Sequence, residues 1–187
     1  FLEATGTGFR VSLADDGDLP AEGDVILLGS SISPSMREFV PAGSETLECP
    51  QAFRIYTQRQ GGRTVTLIRG GGRIGVLYGV YAYLETLGYR FYGLGEKGTV
   101  APDGLNGLPN TLDIREEPSY ITRGFHAWEP RGNREFFLWM ARNRLNFWTA
   151  AEATIPFLKK LGIKLADGGH VVMVHFLNAD AEYPYDH

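Results

Sequence analysis

The sequence contains one cysteine, Cys49, in 187 residues, which excludes an intrachain disulfide framework and a zinc site built on paired thiolates. Lys and Arg number 18 against 22 Asp and Glu, for a formal net charge of -4. This balance lacks the basic excess that binding to nucleic acid or to an anionic membrane requires. No apolar run is long enough to span a bilayer. We therefore expect no nucleic-acid partner and no membrane partner.

Histidines at metal-binding spacing are also lacking. The four are His126, His170, His175 and His187. His170 and His175 are five residues apart, so they point to opposite faces of a strand and do not share one stripe of a helix. Neither a His-Glu-x-x-His segment nor a cysteine pair accompanies them. We expect no metal ion and no cofactor.

What the chain does have is enough apolar residues for a core, 43% of the total. Alternating residues predict a strand over Phe9–Leu13, and a short apolar run predicts a buried strand over Val25–Leu28. Two β-rich segments, Phe53–Arg59 and Arg63–Arg69, are joined by Gln60-Gly61-Gly62, which is typical of a tight hairpin turn. These segments should therefore pair antiparallel.

The segment from Gly70 to Pro102 organises the first domain. Its apolar and aromatic residues recur at helical spacing, which predicts a helix with one buried face. That face contains Ile74, Leu77, Tyr78, Tyr81, Leu84 and Leu87. Gly88 should end the helix, and Tyr89–Tyr92 should follow as a strand. Residues 1–115 are thus predicted to form an α+β domain, a mixed sheet with one long helix across it.

The glycines before this helix allow two interpretations. Gly70-x-Gly72-x-x-Gly75 fits the dinucleotide fingerprint, because it follows a strand and opens a helix whose amides could hold a pyrophosphate. However, the preceding strand belongs to a hairpin, whereas the fingerprint needs a parallel βαβ unit followed by an acid, and here Glu96 comes late. We prefer the interpretation that Gly72, Gly75 and Gly79 let the helix approach the sheet closely. Nucleotide binding stays an alternative.

A segment rich in Gly, Pro and Asn, Gly104–Glu117, is interpreted as a linker, and the pattern changes after it. Residues 116–187 alternate between strand and helix, which is typical of a parallel α/β sheet or barrel. The predicted elements are Tyr120–Ala127, Glu135–Arg144, Leu145–Thr149, Ile155–Leu161 and Ile163–Ala166. About three βα units fit before His187, whereas a closed (β/α)8 barrel takes roughly 250 residues. We expect an open sheet or the start of a truncated barrel, whose exposed edge favours homo-oligomer formation.

Candidate site residues cluster at the predicted carboxyl ends of these strands, where α/β folds place their sites. Arg123 could donate to vicinal hydroxyls, Trp128 could stack on a pyranose, and Glu129 could accept hydroxyl protons, a set suited to carbohydrate. Trp148 and His170 end the next two strands and should converge on the same rim. In the alternative interpretation, Trp128 covers the core and Glu129 forms surface ion pairs with Arg131 or Arg134.

Two motifs resemble a known architecture. The run Gly75–Leu84 resembles the G-x-x-Y-G helix of the small domain that precedes the catalytic barrel in family 67 α-glucuronidases and family 20 β-N-acetylhexosaminidases. Arg123-Gly124 resembles the Arg-Gly of the first barrel strand in the hexosaminidases, where the arginine binds sugar hydroxyls. Trp128-Glu129 resembles the Trp-Asp that follows this strand in the α-glucuronidases. Arg142–Trp148 is similar to the passage from helix to second strand in this group.

The resemblance covers roughly residues 65–170 and is closest to uncharacterised bacterial glycosidase-like proteins. It implies the N-terminal portion of a carbohydrate-degrading glycoside hydrolase, secreted or periplasmic, which supplies an accessory domain and part of a sugar-binding rim. The sequence departs from the hexosaminidases at Trp128, where they carry Asp. Both families place their acid and base on later barrel strands, so we expect this chain to be inactive alone.

No catalytic residue is assigned, because hydrolysis needs two carboxyl groups at a defined separation and no spacing here identifies such a pair. The candidates are Glu129, Glu152, Asp167, Asp180, Glu182 and Asp186. A non-catalytic carbohydrate-binding or interaction module therefore remains the main alternative to an enzyme.

Overall fold

The structure, a computed structural model, describes residues 19–20, 22–42, 46–105, 107–126, 133–149 and 155–165. It divides into two compact units, Phe1–Ile121 and Thr122–His187. The domain boundary predicted from the sequence, at residue 115, lies earlier in the chain than this one. The strand predicted over Phe9–Leu13 lies outside the described residues.

The first unit contains a four-stranded mixed sheet in the order β1-β3-β2-β6. Its strands are β1 (Val25–Gly29), β2 (Phe53–Gln60), β3 (Arg63–Gly70) and β6 (Leu112–Glu116). Strand β3 runs parallel to β1 and antiparallel to β2, and β2 runs antiparallel to β6. The predicted α+β class with a mixed sheet is confirmed.

The predicted hairpin is also confirmed. Gln60 pairs with Arg63 across a two-residue loop. Gly61 and Gly62 have φ of +59° and +85°, and positive φ at both loop residues is what a turn matching the strand twist requires. The local sequence therefore determines both the turn and the pairing of β2 with β3.

The first helix, α1 (Pro34–Arg37), is short and lies between β1 and β2. The second helix, α2 (Arg73–Thr86), follows β3 directly. Gly88 has φ +100° and donates its amide to Glu85 O, while Tyr89 donates to Leu84 O, both at 3.1 Å. These two bonds satisfy the last carbonyl groups of the helix in the way typical of a C-terminal glycine. The predicted helix end is thus confirmed.

The predicted buried face of α2 is only partly right. Within the helix, the most deeply buried residues are Gly75, Tyr78, Gly79, Ala82 and Tyr83. A Cβ on Gly79 would come within 2.6 Å of Ile68 Cγ2 and 3.3 Å of Phe53 Cβ. Small residues thus make up most of the helix stripe that lies closest to the sheet, and the larger apolar residues flank this stripe. An apolar-periodicity count overlooks this stripe because glycine and alanine carry little apolar weight.

The sheet has an apolar core on each face. Helix α2 covers one face, where Phe53, Ile55 and Ile68 form a cluster with Tyr78. The other face packs against residues of α1 and the turn that follows it, including Met36 and Phe39. Residues of β3 alternate between the two faces, as expected for a strand buried on both sides.

The remaining strands agree in part with the sequence expectations, since a strand follows α2 as predicted but lies outside the main sheet, and the predicted linker contains a strand. Strand β4 (Arg90–Phe91) pairs antiparallel with β5 (Thr99–Val100) in a separate two-stranded sheet and does not join the main sheet. The predicted linker includes β6, which pairs with β2. Apolar residues of that segment also pack against the core, namely Leu105, Leu108, Leu112 and Ile114. Long-range pairing therefore overrides the loop-like composition.

The second unit alternates strand and helix. Its elements are β7 (Gly124–Phe125), α3 (Arg134–Arg142), β8 (Phe147–Trp148), α4 (Ile155–Lys160) and β9 (Lys164–Leu165). The strands form a sheet in the order β7-β8-β9 and all run parallel. The predicted alternation and parallel direction are confirmed for this sheet. Strand β7 is shorter than predicted, since Tyr120 and Ile121 are exposed outside it.

Candidate functional site

Helix α3 is held at its start by Asn133. The Asn133 side-chain oxygen accepts from Phe136 N at 2.9 Å, which satisfies one of the free amides of the first turn. Glu135 in the first turn and Arg142 in the last turn complement the helix dipole. The sequence thus determines where this helix begins and which way it presents its charged ends.

The end of α3 turns sharply into β8. Arg144 has φ +59°, the one non-glycine residue with positive φ in the described part of the chain. Arg144 N donates to Ala141 O at 3.0 Å and Leu145 N donates to Met140 O at 2.7 Å. This is the arrangement in which glycine is usual, so the arginine carries a backbone cost of about 1–2 kcal/mol.

Asn146 connects all three strands at their amino ends. Its Oδ1 accepts from Arg123 N at 2.8 Å, and its own amide donates to Arg123 O at 2.7 Å. Its carbonyl oxygen accepts from Lys164 N at 2.8 Å. Asn146 is 1% exposed, so these bonds replace water for a buried polar group and join β7, β8 and β9.

Arg123 lies on the same amino edge. Its Nε and Nη2 donate to the carbonyl oxygen of Arg144 at 3.0 and 2.8 Å. The prediction placed this arginine on the strand that leads to the sugar-binding rim. In the structure it stands just before β7, and these two bonds support the strained turn at Arg144.

The carboxyl ends of the three strands meet at the opposite edge. Phe125, Trp148 and Leu165 are neighbours in register across the sheet. A Cβ on Gly124 would overlap the carbonyl oxygen of Phe147, so glycine at this position lets β7 approach β8. Parallel pairing therefore brings the segments after Phe125, Trp148 and Leu165 to one edge.

Trp148 belongs to an aromatic cluster beneath α3. It is 4% exposed, and its ring meets Phe136 and Phe137 edge-on, with centroids 5.2 and 5.8 Å away. Its ring is covered by the helix rather than presented at the rim. Trp139 was not selected from the sequence, although its three-residue spacing from Phe136 indicates one helix face. It stacks on Phe125, which is 39% exposed.

The other predicted rim residues, Trp128, Glu129 and His170, lie outside the described residues. At the described part of the carboxyl edge, His126 is exposed and Thr149 is half-buried. Of the predicted site residues, Arg123 and Trp148 therefore lie in the part of the chain whose contacts the structure describes. Asn146, which was not selected from the sequence, bonds to Arg123 and to Lys164.

The glycine loop before α2 is closed by the chain itself. Gly75 N donates to Pro50 O at 3.1 Å, and Gly71 N donates to Ala52 O at 2.9 Å. A Cβ on Gly71 would overlap Cys49 O. Carbonyl groups of this segment thus occupy the place that a pyrophosphate would need. The strand after α2 also joins a different sheet, so the described residues lack the βαβ unit of the fingerprint.

Within the described ranges, no three His, Cys, Asp or Glu side chains are grouped so that they could hold a metal ion. None of the helices in the part of the chain that the structure describes is long and apolar enough to cross a membrane. No protein-family model and no sequence among curated proteins matches this chain. Function is therefore inferred from the geometry above and from the motifs of the sequence.

Proposed function

We propose that this chain is the N-terminal portion of a carbohydrate-degrading glycoside hydrolase. In this proposal the first unit is an accessory domain of the hexosaminidase or α-glucuronidase type. The second unit supplies the first βα units of a (β/α)8 barrel and part of its sugar-binding rim. The acid and base would be supplied by strands that follow those described, so the chain alone is expected to be inactive.

One observation carries this proposal. Three short strands alternate with helices and lie parallel in one register, so their carboxyl ends point to the same edge. The first of these strands leads into the segment that contains Trp128 and Glu129. A stacking ring and a hydroxyl acceptor directly after a parallel strand support carbohydrate as the ligand.

Residues of the amino edge have a positioning role in this proposal. Asn146 and the Arg123–Arg144 contact determine how β7 is aligned with β8. The rim segments follow within a few residues of that contact. An error of about 1 Å in this alignment would be transmitted to the rim, and ligand sites are sensitive to shifts of that size.

A glycan array tests the proposal on the full chain. We expect retention of a defined group of oligosaccharides by the native chain and its loss in Trp128→Ala. Tyr120→Ala is the matched control, because Tyr120 is an aromatic residue 76% exposed outside the three strands. Equal retention by both variants, or none by the native chain, would contradict a sugar site at Trp128.

The rival function is a non-catalytic carbohydrate-binding module. The sequence favours it in one respect, because no spacing of its carboxylates identifies an acid and base pair. Incubation of the chain with an aryl glycoside separates the two functions. Enzyme-like turnover that is lost in Arg123→Ala would require a catalytic pair within the 187 residues, against our proposal. Binding without turnover agrees with both functions, and activity gained by adding downstream barrel strands favours the hydrolase.

A further inference from the structure

Three arginines stand side by side on one face of the first sheet. Arg54 of β2 is directly opposite Arg69 of β3 and directly opposite Arg115 of β6. Residues paired in this way project from the same face of an antiparallel sheet, with Cβ atoms about 4.5–5.5 Å apart. We call these three residues the arginine row. It lies on the face of the sheet opposite α2.

The structure already contains one carboxylate bound to this row. Arg54 Nε and Nη2 donate to the two oxygens of Asp113 at 2.8 Å each. This two-bond geometry is the preferred mode by which a guanidinium holds a carboxylate. The Arg54 guanidinium is also 5.9 Å from the ring centre of Tyr56. The hydrogen bonds from Arg54 lower the pKa of the Asp113 carboxyl.

The four strands of this sheet bring one carboxylate to the same face as the arginine row. By strand alternation, Asp113 is the single acidic residue that β1, β2, β3 and β6 contribute to this face. Like charges directly opposite each other in a sheet are destabilising. Burial, together with the charge of Arg54, lowers the pKa of Arg69. Arg115 is exposed, so the row is open to solvent at the β6 edge.

We propose that the arginine row is a binding site for a carboxylate-bearing small molecule. The ligand carboxylate lies at the β6 edge, where it accepts hydrogen bonds from Arg115 and is attracted by Arg54. Asp113 holds Arg54 in place and competes with the ligand for it. This inference is independent of the glycosidase proposal, because it concerns a different unit and a different face.

Isothermal titration calorimetry of the full chain with citrate tests the proposal at low ionic strength, where the Debye length is about 30 Å. We expect saturable binding that Arg115→Gln weakens by about tenfold. Arg59→Gln is the matched control, because Arg59 is an exposed arginine of the same strand as Arg54 and projects from the opposite face. Circular dichroism of each variant checks that the fold is retained.

Asp113→Asn gives a second, opposite result. Removal of the competing carboxylate should tighten citrate binding, whereas a purely structural ion pair would make this variant less stable without any gain in affinity. Titrations with glucuronate and with glucose distinguish an acidic sugar from a free polycarboxylate as the source of the ligand group. Absence of citrate binding, equal loss in Arg59→Gln and Arg115→Gln, or weaker binding in Asp113→Asn would each overturn the proposal.

Discussion

Substitution of Gly79 by alanine tests whether close packing determines the position of α2. Glycine in a helix interior is less favourable than alanine by about 1 kcal/mol, so helix propensity alone predicts that Gly79→Ala stabilises the protein. The tertiary structure predicts the opposite sign. The new Cβ would lie 2.6 Å from Ile68 Cγ2 and 3.3 Å from Phe53 Cβ, whereas carbon atoms in contact are separated by about 3.5–4.0 Å.

The size of the loss in stability depends on whether the neighbouring side chains can move away from the new methyl group. Ile68 is β-branched and 1% exposed, and Phe53 is 2% exposed, so neither side chain can rotate into solvent. Inserting a methyl group into such a core costs typically about 1–3 kcal/mol. Subtracting the gain in helix propensity of about 1 kcal/mol leaves a net loss of up to about 2 kcal/mol in the free energy of unfolding.

Urea denaturation followed by circular dichroism measures the loss. Hydrogen exchange at the amides of β3 and α2 assigns the loss to the first unit. Tryptophan fluorescence would not report on this unit directly, because all three tryptophans lie in the second. Ile68→Ala removes the atom that the new methyl would meet, so the two substitutions should be less than additive, with a coupling of about 0.5–3 kcal/mol. A more stable Gly79→Ala protein, or strict additivity, would refute close packing as the role of this glycine.

Three further predictions concern the amino edge of the second unit and the first sheet. Asn146→Ala should lower the free energy of unfolding by about 1–3 kcal/mol, because the partly buried backbone amide of Arg123 loses its acceptor. Tryptophan fluorescence in urea measures this loss, and an unchanged midpoint would refute the role of Asn146. Arg144→Val should be less stable by about 1–2 kcal/mol and Arg144→Gly at least as stable as the native chain, since φ is +59°; equal melting temperatures for the two variants would contradict strain at this turn. Arg54 lowers the pKa of Asp113, so this pair stabilises the fold above the unfolded carboxyl pKa of about 3.9 and the contribution is lost as pH falls through the lower folded value. Stability of the native chain should therefore fall more steeply than that of Asp113→Asn in acid, by at most about 1 kcal/mol for an exposed pair, and parallel pH profiles would exclude this contribution.

Features governed by neighbouring residues could be predicted from the sequence. The Gly61-Gly62 turn, the end of α2 at Gly88 and the alternation of strands with helices after residue 120 all agree with the structure. Each depends on backbone conformations or periodicities that a few adjacent residues determine. The parallel direction of β7, β8 and β9 also followed, because a helix between two strands returns the chain to the same end.

The candidate site was harder to predict. The carboxyl ends of β7, β8 and β9 meet at one edge, but the direction of each side chain depends on packing that a linear pattern does not contain. Trp148 is turned under α3 because Phe136 and Phe137 form the apolar surface that it meets. The Arg123 guanidinium donates two hydrogen bonds to the carbonyl oxygen of Arg144, which the turn after α3 brings within reach.

The sequence by itself determined which segments of the described chain become turns, helices and strands in most places, together with the α+β class and the parallel order of the second unit. The tertiary structure alone decided which face of α2 lies against the sheet, and that β6 completes this sheet. It also decided that three arginines stand abreast on the other face. The reason is physical: turn and helix signals act over a few residues, whereas β6 meets β2 from more than fifty residues away. Such a contact is set by the total fit of the core and not by the composition of either segment.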